Sequence, residues 1–236
     1  MIPNHFVTFL FIPALCIAPW SHLYIKLFAM LKRTMGRSLL TLLVITGLAG
    51  TINDLSLSKT ERKTAISLMK DTKADVLKSV KGLSEAQLNF RSAPDKWSVK
   101  ECAYHISISE KNLWDLMEAT MKAPANPEKR SEVKMTDEQL IKMMEDRSFK
   151  VKTQETFEPR NTPYQTIDEA LESFKSRRAD HIKYLKSTTE DMRNHITQMP
   201  FGWIDCYQIC LMVASHSNRH TRQINEVKAD AAFPIQ

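Results

Sequence analysis

Glycine is scarce in this chain, with five in 236 residues, and no segment sustains an apolar–polar alternation of period two for long. The two deficits together argue against a sheet-built protein and for a helical one. Cysteine is nearly as sparse. Of the four, Cys16 lies in an apolar N-terminal stretch, and Cys102, Cys206 and Cys210 remain, an odd number that makes no disulfide framework. One bridge from Cys102 to Cys206 or Cys210 is conceivable in an exported protein, but unpaired cysteine is a common small core residue. Also missing is any basic cluster interleaved with aromatics. Residues 1–50 hold Lys26, Lys32, Arg33 and Arg37 and no acid, so the formal charge of +6 falls to +2 beyond them, 29 basic against 27 acidic residues. That balance offers no footprint for nucleic acid, and none is expected as a partner. Internal repeats and low-complexity tracts are absent.

Neither apolar run near the N-terminus is long enough to span a bilayer comfortably. The first, from Phe6 to Trp20, is broken by Pro13 and Pro19; the second, SLLTLLVITGLAG, runs from Ser38 to Gly50. Preceded by Lys32, Arg33 and Arg37 and closing on the small residues Gly47 and Ala49, the second run has the form of a signal peptide. Residues 1–50 are therefore expected to be a leader, cleaved near Ala49, with the mature chain exported as a periplasmic or secreted protein. Met30 and Met35 lie just upstream, so residues 1–29 read as an over-extended start. An uncleaved anchor is the alternative, with the membrane reached only through this segment. A hairpin of two membrane segments is disfavoured by the prolines and by the shortness of both runs.

Residues 51–236 read as one domain, large enough to bury a good core at 43% hydrophobic content. Apolar spacing predicts a first long helix over 59–81, with Ile66, Met69, Val76, Leu77 and Val80 on one stripe and Gly82 ending it. Ser98 followed by Glu101 has the form of a capping box for a second helix, which reaches Lys122 with Val99, Cys102, Ile106, Leu113 and Met117 inward. Pro124 and Pro127 stop it. A polar crossover from Ala123 to Gln165 follows, carrying a short helix from about Thr136 to Met144. A third long helix spans 167–187 with Ile167, Leu171, Phe174 and Leu185 inward, and its Arg177, Arg178 and Asp180 read as a solvated face. A fourth, from Trp203 to Lys228, carries Tyr207, Leu211, Ala214 and a pair of histidines, and the tail AAFPIQ is expected to fray. The fold class is all-α, a four-helix bundle with a long crossover between the second and third long helices.

Histidine carries the functional signal. At about 100° per residue, His220 returns to within about 40° of His216 one turn later, so both rings leave one helix face. A third histidine from another helix completes a three-nitrogen site with open positions for a substrate, the arrangement that catalytic metal sites use. A site that is structural, and three core histidines with no metal, are the alternatives. Cys206 and Cys210 share a helix face, but not that of His216. His181 and His195 are read as bystanders, Trp97 as packing the start of the second helix and Ser98 as its cap. Arg219, beside the histidines, reads as a holder of an anionic substrate group or as an exposed helix residue.

The succession LSEAQLNFRSAPDKWSVKECAYHI, followed some hundred residues later by HSNRHTRQI, resembles the DinB/YfiT family of metal-binding four-helix bundles over most of residues 58–228. The combination WSxxExxxH then HxxxHxxQ, in that order, carries the likeness; HxxxH alone is weak. The resemblance implies that His105, His216 and His220 ligate one divalent metal. Three imidazoles suit zinc first, with nickel or iron(II) as alternatives. A ligand histidine needs its other nitrogen held, and Glu101, one turn before His105, and Gln223, three beyond His220, are the candidates for that role. For Glu101 helix capping is an equal reading. The resemblance further implies an enzyme acting on a small molecule, either a thiol-dependent transferase, as in characterised relatives, or a metal-dependent hydrolase, and it makes a homodimer plausible. A non-catalytic metal-binding protein is the rival, and export weakens the case for a cytoplasmic thiol as cosubstrate.

Overall fold

The computed structural model describes residues 56–235, so the apolar leader, its cleavage point near Ala49 and Cys16 lie outside the described residues. Six α-helices follow in order: α1 (Lys59–Val80), α2 (Glu85–Asn89), α3 (Val99–Lys122), α4 (Asp137–Glu145), α5 (Ile167–Ser187) and α6 (Cys206–Lys228). Each opens on a side-chain cap. Ser58, Ser84, Ser98, Thr136, Thr166 and Asp205 each accept the backbone N–H three residues on, which satisfies a donor the helix itself leaves free. Gly82, at φ +72°, takes the chain out of α1 in a conformation that costs glycine little.

α1, α3, α5 and α6 form the bundle. α6 packs against α3 and α1, and α5 packs against the same two, so the first two long helices in sequence sit across a diagonal. The crossover forms a second layer over part of this bundle: α4 lies on α6, and 3-10 turns at Glu155–Phe157 and Pro159–Asn161 lie on α3. Covered in this way, Cys102–Glu110 of α3 and Cys206–Ser215 of α6 are buried all round. Among the described residues no helix is long and apolar enough to cross a membrane.

Three sequence expectations are corrected. The fourth long helix begins at Cys206 rather than Trp203, because Gly202–Asp205 (β2) pairs antiparallel with Ile196–Met199 (β1). Strands of four residues are too short for their alternation to stand out. Asn126 clamps the hairpin to the crossover, its amide accepting from Ile196 N at 2.9 Å and donating to Ile196 O at 3.0 Å. The tail does not fray where it leaves α6, since Phe233 packs edge-on against Phe90 at 5.5 Å and Gln87 donates to Pro234 O at 2.8 Å. The third correction concerns Arg178, which is fully buried rather than solvated.

Two apolar clusters fill the bundle, one around Met69, Leu113, Leu185 and Leu211, the other around Val76, Ile106, Phe174 and Ile224. A polar layer lies between them. Arg178 of α5 donates to both Glu110 carboxylate oxygens at 2.6 Å, to Met69 O at 3.0 Å, and to Thr72 Oγ1 and Ser217 Oγ at 2.7 Å. All five guanidinium hydrogens are thereby used, and the five bonds tie α5 to α1, α3 and α6. His181 completes the layer, bonded to Glu110 through Nδ1 at 2.8 Å and stacked on Trp114 at 3.6 Å. Burial opposes charge on Glu110, but Arg178 and His181 outweigh it and hold the carboxyl below its ordinary range. Cys102, Cys206 and Cys210 are free and buried, and burial pushes all three thiols up.

Candidate metal centre

α3 delivers His105 and α6 delivers His216 and His220 to one point on the side of the bundle that the crossover covers. His216 Nε2 lies 3.1 Å from His105 Nε2 and 3.2 Å from His220 Nε2. The three form the metal-capable group of His, Cys, Asp or Glu found among the described residues. His105 and His220 are buried and His216 is half-buried.

Hydrogen bonds at the opposite ring nitrogens determine what faces the centre. His105 Nδ1 is 2.7 Å from Phe157 O, and His220 Nδ1 is 2.9 Å from Gln223 Oε1. A carbonyl oxygen only accepts, so each Nδ1 carries the proton and each Nε2 presents a lone pair. Only His216 can bring a proton to the centre, and one proton poorly serves two facing lone pairs. A cation serves all three. Two nitrogens bound to zinc at about 2.05 Å stand about 3.3 Å apart in a tetrahedron and about 2.9 Å apart at a right angle; the two spacings from His216, 3.1 and 3.2 Å, lie between these values. The donor set therefore fits a divalent metal.

Of the two candidates for orienting the histidines, Gln223 touches His220 and Glu101 instead bonds Ser98 and Arg91. Glu101 completes the α3 capping box with Ser98 at 2.8 Å and pairs with Arg91 at 2.5 Å. The main-chain carbonyl of Phe157 takes the role proposed for it, a partner that sequence cannot reveal because any residue supplies it. Trp97 does more than pack a helix start: its ring stands 4.7 Å from that of His105 and 5.9 Å from that of His220, and so walls the centre. Arg219 is buried rather than exposed; it donates to Phe149 O at 2.8 Å and lies 5.3 Å from the Phe149 ring. His181 belongs to the Glu110 layer, and His195 Nδ1 meets Thr120 O at 3.1 Å.

All three rings are held neutral. Burial lowers His105 to about 4, against the opposing pull of the Phe157 carbonyl. Burial and then the neighbouring rings put His216 and His220 well below the ordinary value. Well above about 6.5 these rings are neutral in folded and unfolded chains alike and contribute little to pH dependence. Below it the unfolded chain takes up protons that the folded chain refuses, so stability declines as pH falls from about 6.5. Urea unfolding of the metal-free protein is expected to show a plateau from pH 8 to 7 and a loss beginning before the carboxylates titrate. An unchanged midpoint between pH 7 and 5 would contradict this account.

The sequence profile of the DinB superfamily matches residues 68–224. Among solved structures the chain is similar to YfiT from Bacillus subtilis, described as a probable metal-dependent hydrolase with an unusual four-helix bundle topology. The TM-score is 0.52 at 14% identity, over 76% of this chain and 92% of that one, a likeness of fold. No functionally curated protein matches the chain. The order of the four long helices, their crossover and the profile match agree, and the chain belongs to the DinB superfamily.

Proposed function

We propose that His105, His216 and His220 hold one divalent metal, zinc by preference of the donor set with nickel or iron(II) as alternatives, and that the chain is a metal-dependent enzyme acting on a small molecule. The observation that carries this reading is the convergence of three Nε2 atoms, two of them with lone pairs turned inward by bonds at Nδ1. A metal so held supplies Lewis acidity, which makes water or a thiol nucleophilic near neutral pH. The residues around it do the remaining work. Trp97 shuts water out beside His105 and His220.

Hydrolysis is the favoured reaction and thiol transfer the alternative. The description of YfiT supports hydrolysis, as does the export signal read in the leader, which would take the protein away from cytoplasmic thiols. Export and homodimerisation are part of the proposal on sequence grounds.

Elemental analysis of the purified protein, followed by a screen of ester hydrolysis, amide hydrolysis and thiol transfer, tests it. One metal per chain and turnover in one of these classes are expected. A chain that takes up no metal overturns the reading. A loaded chain inert in every class favours the non-catalytic alternative.

A further inference from the structure

Arg147 reaches the histidine cluster from the crossover, just beyond α4. Its guanidinium grips Glu226 with Nε at 2.7 Å and Nη2 at 2.6 Å, and its Nη1 donates to Gln223 Oε1 at 3.3 Å. The same amide oxygen meets His220 Nδ1 at 2.9 Å. A guanidinium has five donors and no acceptor, so the amide atom facing it must be the oxygen. With oxygen also facing His220, Nδ1 is the donor and Nε2 keeps its lone pair for the centre. The amide turned over would present its NH2 instead. Nδ1 would then accept, and the ring proton would move to Nε2, where it blocks a metal.

We propose that Arg147 is a positioning residue that locks His220 in its metal-binding tautomer by fixing which way the Gln223 amide points. The proposal rests on the metal reading above for its consequence, though the tautomer can be observed without any metal. Glutamine needs such a lock because its two amide orientations have nearly the same shape, whereas a carboxylate accepts at both oxygens. His105 needs none, because the Phe157 carbonyl can only accept. Glu226 holds the guanidinium in place, and its own carboxyl is lowered chiefly by the hydrogen bond from Arg147. The surrounding crossover is pinned on both sides of the centre, by Arg219 on Phe149 O at 2.8 Å and Asn112 on Thr156 O at 3.1 Å. Two of the three rings thus take their orientation from partners that the crossover supplies or fixes.

The test uses the metal-free full chain with 15N-labelled histidine, in which long-range proton–nitrogen spectra report which ring nitrogen is protonated, together with zinc affinity measured against a competing chelator. Wild-type His220 should be protonated at Nδ1. Arg147→Ala should populate the Nε2-protonated form and weaken zinc binding about 10-fold, in the range typical of partners that orient a ligand. Arg147→Lys, still a pure donor, should recover most of both signals. In a Gln223→Glu background Arg147→Ala should leave the tautomer unchanged, and Arg222→Ala, which removes an exposed cation paired with Glu145, should leave it unchanged in the wild type. A pure Nδ1 tautomer in Arg147→Ala, with zinc bound as tightly as by the wild type, overturns the lock alone. Equal losses of affinity in both backgrounds, without a change of tautomer, overturn it in favour of a merely structural role. A tautomer that answers to Arg147 in a chain that takes up no zinc supports the lock and overturns the metal reading.

Discussion

Glu110→Ala is expected to destabilise the fold by about 3–5 kcal/mol, the range for breaking a buried ion pair from one side. Glu110 and Arg178 have no exposed side-chain surface, and two of the five guanidinium bonds end on this carboxylate. Removing it leaves a positive charge in the core with three neutral acceptors, Met69 O, Thr72 Oγ1 and Ser217 Oγ, and also strips His181 of its partner. A domain of this size has a total stability of only about 5–15 kcal/mol, so a large share is lost. Replacing both partners, as Glu110→Met with Arg178→Met, should recover much of it, because well-packed apolar side chains avoid the desolvation that the pair must offset. Urea unfolding of the two single variants and the double variant measures the coupling. A loss below about 1 kcal/mol in Glu110→Ala would mean that water or rearrangement relieves the charge, and would sink the account of this layer.

His216→Ala is expected to abolish tight metal binding while leaving the helices intact. His216 is the ring whose Nε2 lies within hydrogen-bonding reach of both others, so its loss takes away the centre of the cluster and leaves two donors. The drop in affinity should exceed the about 100-fold that marks the upper range for outer partners of a ligand. Any turnover found in the screen should vanish with it. Circular dichroism should be unchanged, since His216 belongs to neither apolar cluster of the core. His195→Ala, which alters a ring bonded to Thr120 O near the hairpin, should keep its metal. Undiminished metal binding in His216→Ala would remove the centre from these three residues.

Much of this was readable in one dimension because helices repeat every 3.6 residues. The bounds of α3 and α5 and the caps at Ser98 and Thr136 follow from local spacing and local hydrogen bonding, which need no partner far along the chain. The same periodicity placed His216 above His220. It also held a signal that a reading of charges as surface passed over. Phe174, Arg178, His181 and Leu185 are spaced four, three and four, as are Ile106, Glu110, Leu113 and Met117, so opposite charges stand on the buried stripes of two helices. Charged residues at stripe positions on two helices point to a buried pair.

Sequence by itself determined the helices, their order, the membership of the superfamily and the three histidines, all consequences of short-range pattern or of motifs kept in order. Tertiary structure alone decided which atoms hold those rings. Phe157 lies 52 residues from His105 and Arg147 lies 76 from Gln223, and only the packing of the crossover over α3 and α6 brings them together. One of these partners is a main-chain carbonyl, which every residue possesses. The other acts through the orientation of an amide, which no pattern of residue types encodes. For that reason the histidines that converge could be read along the chain, and the groups that fix their tautomers could not.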